Sequence, residues 1–325
     1  MERILYFCGL ISFMTKVTKK NKFSFYIEGY LLGILPVKSL EKETNELYKK
    51  ISKEEIAGVE KRVDYYNKIH SITNLQHSGT KVKDLLKPKT PKSYYFDTYE
   101  FARYFPKSNL IDYSFGDVNW ILDSPMITKS RPIHGNNENN ILLNLDKARH
   151  FVSVYDKIDY SQKKDILIGR AGVYQQHRIK FFEKYFDHPL CDLGQINKNE
   201  GNPNWIKPKI SISDHLQNKF ILSLEGNDVA TNLKWIMSSN SIAVSPPLKM
   251  ETWFMEGTLE PDVHFICINE DYNNLGEKLQ YYLDHENESK NIIENAKEYR
   301  AQFNNINVEK LTSLLVLKKY FEYIR

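Results

Sequence analysis

The spacing of apolar and polar residues changes character along the chain. Over about 38–70, SLEKETNELYKKISKEEIAGVEKRVDYYNKI places apolar residues at helical intervals with mixed charges between them, which predicts one or two amphipathic helices. KVKDLLKPKTPK, rich in Lys and holding two prolines, reads as a connection. SYYFDTYEFARYFP opens with β-favouring aromatics and stops at Pro106. FGDVNWILDSPMITKSRPI consists of short extended pieces broken by Gly116, Pro125 and Pro132, and NNENN marks a turn before ILLNLDKARHFVSVYDKI. Beyond 165 the order becomes regular: strand 165–169, helix from about 176, the loop GNPNWIKPK, strand 219–225, helix 228–238, strands 241–245 and 263–268, helix 274–285. Strands alternating with helices predict a parallel sheet with helical faces. Two helical stretches close the chain, 288–303 and 307–324. The last carries Leu311, Leu314, Leu315, Leu317, Tyr320 and Phe321, and is expected to pack back on the first lobe.

Length then suggests how these elements group. Single cores tend to split beyond about 250–300 residues, so 325 residues favour two lobes. The expected division is a helical segment at 1–90, an α/β lobe at 91–160, a second α/β lobe at 161–305 and a terminal helix at 306–325. No repeat and no low-complexity segment interrupts it. A net charge of +4 suits anionic ligands or an anionic membrane surface without selecting either, and is too small for the dense basic stripe of a nucleic-acid binder. Cys8, Cys191 and Cys267 show no CxxC spacing, which speaks against a disulfide framework or a zinc site and for a reducing compartment. The apolar start ILYFCGLISFM falls short of the roughly 20 residues needed to span a bilayer and lacks the pattern of a signal peptide. Lys16, Lys19, Lys20 and Lys22, with Phe23, Phe25 and Tyr26 close behind, would suit anionic headgroups; a basic solvated edge is the plainer alternative.

Two segments carry most of the chemistry. DILIGRAGVYQQHRIKFFEKYF begins at 165 and KFILSLEGNDVATNLKW spans 219–235; each reads as a hydrophobic strand entering a glycine turn and then a helix. Such βα turns commonly bind phosphates, through backbone amides and the positive end of the helix. Arg170 and Arg178 flank the first turn, and Gly226 opens the second. Arginine grips two phosphate oxygens with its planar fork, so two arginines and two helix starts at one cleft would hold a diphosphate. Each arginine alone could equally be an ion-pair partner.

Several alternatives lack their signatures. GxGxxG after a strand, GxxxxGK[ST], GxSxG and HExxH are all missing, which argues against nicotinamide enzymes, P-loop kinases, α/β-hydrolases and zinc proteases. His134, His150, His177 and His264 have no metal-ligand spacing, and no DxD pair follows a strand. Positive charge for a diphosphate would therefore come from protein groups. A glycosyl transfer with inversion needs a carboxylate to take the acceptor's proton, for which Asp97, Glu100, Asp117 and Asp123 are candidates.

Taken together, SYYFDTYEFARYFP, FGDVNWILDSPMITKSRPI, LLNLDKARHF, GRAGVYQQHRIKFFEKYFDHPLCDLG, KFILSLEGNDVATNLKW and ETWFMEGTLEPDVHF resemble glycosyltransferase family 90 over roughly residues 90–300. The likeness is greatest to its bacterial, lipopolysaccharide-modifying branch, which is related to protein O-glucosyltransferases. The resemblance implies an α/β, GT-B-like fold of two Rossmann-like lobes around a central cleft. It implies an inverting, metal-free mechanism with no cofactor and a UDP-sugar as donor substrate. Arg170, Ala171 and Gly172 match the family's arginine-glycine turn, and Arg178 its second arginine. Gly226, Asn227, Asp228, Val229, Ala230, Thr231 and Asn232 match the donor-binding turn. Where animal members carry an arginine this chain has Asn232, so Lys234 could supply the charge instead. The animal Arg-Asp-aromatic-Pro string is most similar to Arg103, Tyr104, Phe105, Pro106, which lacks the aspartate. Asp117, beside Gly116, is favoured as the base, with Asp97 and Glu100 as alternatives.

Lys129, Ser130 and Arg131 of the KSRP string would suit a phosphorylated or carboxylated acceptor, unless these cations pair with internal carboxylates. The expected activity is transfer of a hexose or pentose from a UDP-sugar to a lipopolysaccharide or lipooligosaccharide core. Its expected place is the cytoplasm, in peripheral contact with the inner membrane, with no nucleic-acid partner. A protein or capsular-polysaccharide acceptor and a non-catalytic sugar-nucleotide binder are the rivals.

Overall fold

The computed structural model describes residues 15–18, 21–75, 79–89, 92–150 and 152–324. Cys8, Lys19, Lys20 and the apolar start lie outside these residues, so the expectations placed on them have no counterpart in the fold described below. The amphipathic stretch forms two helices, Leu40–Tyr48 and Lys53–Tyr66, the second opened by a capping box in which Ser52 and Glu55 satisfy each other's backbone amides. A further helix, Lys22–Leu31, precedes them. Among the described residues no helix is long and apolar enough to cross a membrane.

The strands are numbered in chain order. β1 (Thr15–Thr18), β2 (Thr80–Lys81) and β3 (Leu110–Ile111) are minor, with β2 and β3 paired antiparallel. β4 (Tyr113–Ser114), β5 (Met126–Thr128) and β7 (Asn140–Leu142) make a parallel sheet of very short strands, while β6 (Ser130–Pro132) leaves it for another partner. β8 (Ser153–Asp156) pairs with β1. A larger parallel sheet follows, from β9 (Lys164–Ala171), β10 (Cys191–Gln195), β11 (Asn218–Leu222), β12 (Ile242–Ser245) and β14 (Ile266–Cys267); β13 (Met250–Thr252) pairs with β6 instead.

Both faces of the larger sheet are covered, as an all-parallel sheet requires. Ile168, Ile221 and Ala243 face the core shared with the N-terminal helices and the small sheet. Their neighbours Leu167, Phe220, Leu222, Ile242 and Val244 face the other way, onto Phe181 and Phe182 of helix Gln176–Tyr185 and Leu275 and Leu279 of helix Leu275–Asp284. Side chains alternate along a strand, so adjacent residues serve different cores. The last two helices are Glu286–Ala301 and Ile306–Tyr323. The final one buries Leu311, Leu314, Leu317 and Tyr320 against the early helices and accepts a bond from the Asp112 amide at Tyr320 Oη, 2.8 Å away.

Three elements differ from expectation. SYYFDTYEFA is a helix, Lys92–Ala102, because its aromatics are buried almost all round and tertiary packing overrides β-propensity. β10 was not foreseen, since CDLGQ offers only Leu193 as an apolar signal. The helix expected at 228–238 is four residues, Leu233–Ile236, and begins well after Gly226.

Register places Arg131 of β6 opposite Glu251 of β13. Arg131 is fully buried, with Nε 2.7 Å from Glu251 Oε1, Nη2 donating to Tyr65 O at 2.8 Å and Nη1 donating to Asn140 O at 3.1 Å. It ties three segments together and has no face left for an acceptor, so of the two readings the sequence offered for this arginine the structure shows the internal ion pair. Removing one partner strands the other charge out of water. Arg131→Met should therefore lower stability by about 3–5 kcal/mol in urea unfolding. A variant of normal stability that used its acceptor poorly would return Arg131 to the acceptor side.

Candidate active site

In the larger sheet the strands lie in the order β10-β9-β11-β12-β14, that is second, first, third, fourth and fifth in the chain. The winding reverses between β9 and β11. Connections from their carboxyl ends diverge there and leave a crevice, the usual ligand position in open α/β sheets. The two turns singled out in the sequence are the ones that flank this point.

Arg178 binds the two turns together. It lies in the first turn of helix Gln176–Tyr185, and its guanidinium donates to Gly172 O (Nη1, 2.7 Å), Leu224 O (Nη2, 2.7 Å) and Glu225 O (Nε, 2.9 Å). Three of its five N–H groups are thereby used. No carboxylate among the described residues forms an ion pair with it, and burial alone pushes its pKa down. A β-carbon on Gly226 would stand 3.3 Å from Nη2, so glycine keeps the guanidinium open on that side. A β-carbon on Gly172 would meet the Tyr174 ring at 2.6 Å. Gln175 Nε2 donates to Asn227 Oδ1 at 3.0 Å, and His177 Nε2 lies 2.9 Å from Glu225 O.

Arg170 is placed differently. Its Nη2 is 3.0 Å from both Asp192 carboxylate oxygens and its Nη1 donates to Asp192 O and Gly169 O, while Lys207 reaches the same carboxylate at 2.8 Å. Its charge is matched by β10, the strand the sequence did not reveal.

The small sheet approaches the crevice through Lys129. This buried ammonium lies 2.6 Å from Asp117 Oδ1 and 2.6 Å from Asp228 Oδ2. Burial works against the charge, but the carboxylates outweigh it and Lys129 is pushed up to about 12. Burial wins at Asp228, whose carboxyl is raised. At Asp117 burial also works against the charge, but the hydrogen bond and charge of Lys129, with Arg149 and Asn227, together outweigh it and the carboxyl lies below its usual range. Asn119 Nδ2 donates to Asn227 O at 2.9 Å, a second link across the crevice.

Residues 182–323 match the model of glycosyl transferase family 90. Over 307 residues, 94% of this chain and 96% of the relative, the sequence is 39% identical to O-glucosyltransferase LpsA of Dichelobacter nodosus. The chain belongs to glycosyltransferase family 90. The family match includes the turn after β11 but begins beyond Arg178, so the role of that arginine rests on its geometry.

In this family-90 glycosyltransferase the structure brings several of the expected residues together and separates others. Gly172, Arg178, Gly226, Asn227, Asp228, Lys129 and Asp117 meet at the crevice. Val229 and Ala230 are buried packing residues of the turn, and Thr231 is half-buried. Asn232 sits beneath the turn, its Nδ2 donating to Leu222 O at 2.8 Å and its Oδ1 accepting from Ser223 Oγ. Lys234 is buried against Glu256 at 2.7 Å and so does not replace the missing arginine. Ser130 is buried, donating to Val118 O at 3.0 Å, and shapes the loop instead of meeting an acceptor. The short helix at Leu233 puts no helix start at Gly226, whose own amide donates to Asp228 O within the turn.

The other carboxylates also separate. Asp97 is fully buried beside Lys147, 3.6 Å away, and burial pushes it up to about 7; no acceptor reaches it. Glu100 pairs with the same Lys147. Glu225, not singled out from the sequence, stands at the crevice. Its Oε1 accepts from the Lys249 and Met250 amides at 3.1 and 3.0 Å, and burial pushes its carboxyl up to about 7. Its position directly before Gly226 was the available signal. Among the described residues no set of three His, Cys, Asp or Glu side chains is grouped to hold a metal ion.

Lys129→Met should leave Asp117 and Asp228 without their shared cation, raising both carboxyl pKa values. The loss of stability should be large at pH 7 and shrink as pH falls and the carboxyls protonate. Urea unfolding at pH 7 and pH 5 checks this; an equal loss at both would show that the ammonium does not hold the carboxylates ionised.

Proposed function

We propose that this glycosyltransferase moves a sugar, with inversion, from a UDP-sugar to a lipopolysaccharide or lipooligosaccharide core, without a metal. The observation that carries the donor half is Arg178, a buried guanidinium with no carboxylate partner among the described residues, at the point where the sheet reverses. A diphosphate would supply the opposite charge and accept from the two unused N–H groups. Tyr174, half-exposed beside Gly172, offers a ring face to a nucleobase. The name of the relative favours a glucosyl group. In this reading the larger sheet and the small sheet are the cores of two GT-B-like lobes, and Lys129 joins them across the cleft. A cytoplasmic enzyme in peripheral contact with the inner membrane fits such an acceptor; a protein or capsular acceptor is the rival.

Two carboxylates compete for the proton of the attacking hydroxyl. Asp117 is exposed and faces the donor turn, but Lys129 lowers its basicity. Glu225 has the better-matched pKa, being pushed up to about 7. Departing UDP would be stabilised by Arg178, held ready by three carbonyls before any charge develops.

Calorimetric titration with UDP tests the donor half, with ADP, GDP and EDTA controls. Selective UDP binding that ignores EDTA is expected, and Arg178→Ala should weaken it by roughly tenfold or more, about 1.4 kcal/mol per decade. Unchanged affinity in that variant would remove the diphosphate from Arg178.

The base is assigned by a pH profile. A base titrating near 7 must lose its proton to act, so kcat/KM should rise as pH passes through 7. Glu225→Gln should abolish turnover and Asp117→Asn preserve the inflection if Glu225 is the base. The reverse result, with no inflection near 7, assigns the role to Asp117.

A further inference from the structure

A cavity of about 730 Å³, separate from the crevice, lies between helix Lys22–Leu31, helix Lys92–Ala102 and the corner where the last two helices meet. Its volume is that of a small-molecule site. Phe25, Leu32, Phe96, Phe101 and Phe303 supply an apolar wall. Two polar groups in the same wall are incomplete. Arg300, 6% exposed, donates to Asn304 and, from Nη2 at 2.6 Å, to Ser153 Oγ; its Nε has no partner and no carboxylate pairs with it among the described residues. Burial pushes its pKa down, with the charge of Glu309, which lines the same cavity, acting against that. Asn144, also 6% exposed, leaves Oδ1, an acceptor, without a partner; it calls for a donor such as the hydroxyl of a singly protonated phosphate.

The charges around the cavity do not neutralise these groups. Glu100 is matched by Lys147, Glu309 by Arg62 at 2.6 Å, and Lys310 by Glu43. Arg103 spends Nη2 on the carbonyls of Leu35 and Pro36 and has no carboxylate partner among the described residues. Glu28 also lines the wall and has a partner of its own. Both arginines line the cavity without an ion pair among the described residues, and of the two Arg300 is the buried one. A buried cation without a counter-charge is costly, and an anionic ligand relieves that cost. The rim supplies the other half of the chemistry: Leu35 is 54% and Ile306 79% exposed. Ile34, at 82%, extends the apolar surface outward.

We propose that this cavity binds a single-chain anionic amphiphile, its acidic head on Arg300 and its alkyl chain along the phenylalanine wall toward the rim. The site is independent of the donor reading. One residue of backbone separates the two, because Lys147 lines the cavity while Asp146 feels the charges of Lys129, Asp117 and Asp228.

Calorimetric titration with decyl phosphate below its micelle concentration tests the proposal, with inorganic phosphate and decanol as separate arms. Decyl phosphate should bind at least tenfold more tightly than either, because both charge and chain are read. Arg300→Met should weaken decyl phosphate by roughly tenfold and leave decanol unchanged. Leu32→Trp, which fills the cavity, should weaken both alkyl ligands. UDP binding should be unaffected in both variants, which separates this site from the donor site. Absence of binding to the wild-type chain, equal affinity for decanol, or decyl phosphate affinity unchanged in both variants would overturn the proposal.

Discussion

A sheet whose strands all run the same way must carry every connection over one of its faces, and wherever the order of winding reverses, two strand ends are left without a covering connection. Here the reversal falls between β9 and β11. The chain leaves those ends with the carbonyls of Gly172, Leu224 and Glu225, which need donors. Arg178 supplies all three from one helix turn. A rigid sheet therefore fixes where a positive charge stands, without the help of any acidic side chain.

The rest of the chain is arranged around that point by buried ion pairs. Arg131 with Glu251 and Lys234 with Glu256 are both almost completely buried, and each joins segments distant in sequence. Such pairs gain little net stability over apolar packing, yet they tolerate few alternative partners, because a mispaired buried charge is heavily penalised. That makes them suited to holding register between β6 and β13 and between the short helix and the turn after β13. Lys129 differs in being shared. One ammonium serves Asp117 from the small sheet and Asp228 from the donor turn, so the spacing of the two sides depends on a charge balance that an anionic ligand in the crevice would alter.

Much of this was legible in the sequence where periodicity is strong. β9, β11, helix Gln176–Tyr185 and the terminal helices follow from apolar runs and helical spacing, and Gly226 and Arg178 follow from their place after strands. What was not legible depends on partners far away in the chain. Arg170 reads like Arg178 in sequence, but Asp192 lies on a strand with one strong apolar residue, so neither the strand nor the pairing announced itself. Arg131 lies two residues from Lys129, which does face the crevice, and register turns it inward onto Glu251, while Lys234 is buried against Glu256 from a short helix the sequence placed differently. Glu225 was hidden because its raised pKa comes from burial, which no local pattern reports.

The same comparison decides which cations can act on a ligand. Arg170, Arg131 and Lys234 are each neutralised by a carboxylate, and recruiting Arg131 or Lys234 would strand a buried one, while Arg170 would have to give up its paired contact with Asp192. Arg178 carries no such penalty, since its partners are carbonyl dipoles that remain bonded while its charge stays available. Arg300 meets the same criterion in the second cavity, where a hydroxyl and an amide oxygen take the place of the carbonyls. In a chain with so many lysines and arginines, abundance of positive charge says little about where anions bind. A cation whose hydrogen bonds are met by neutral groups and whose charge is not is the distinguishing feature, and the described structure has it at both places argued to receive a ligand.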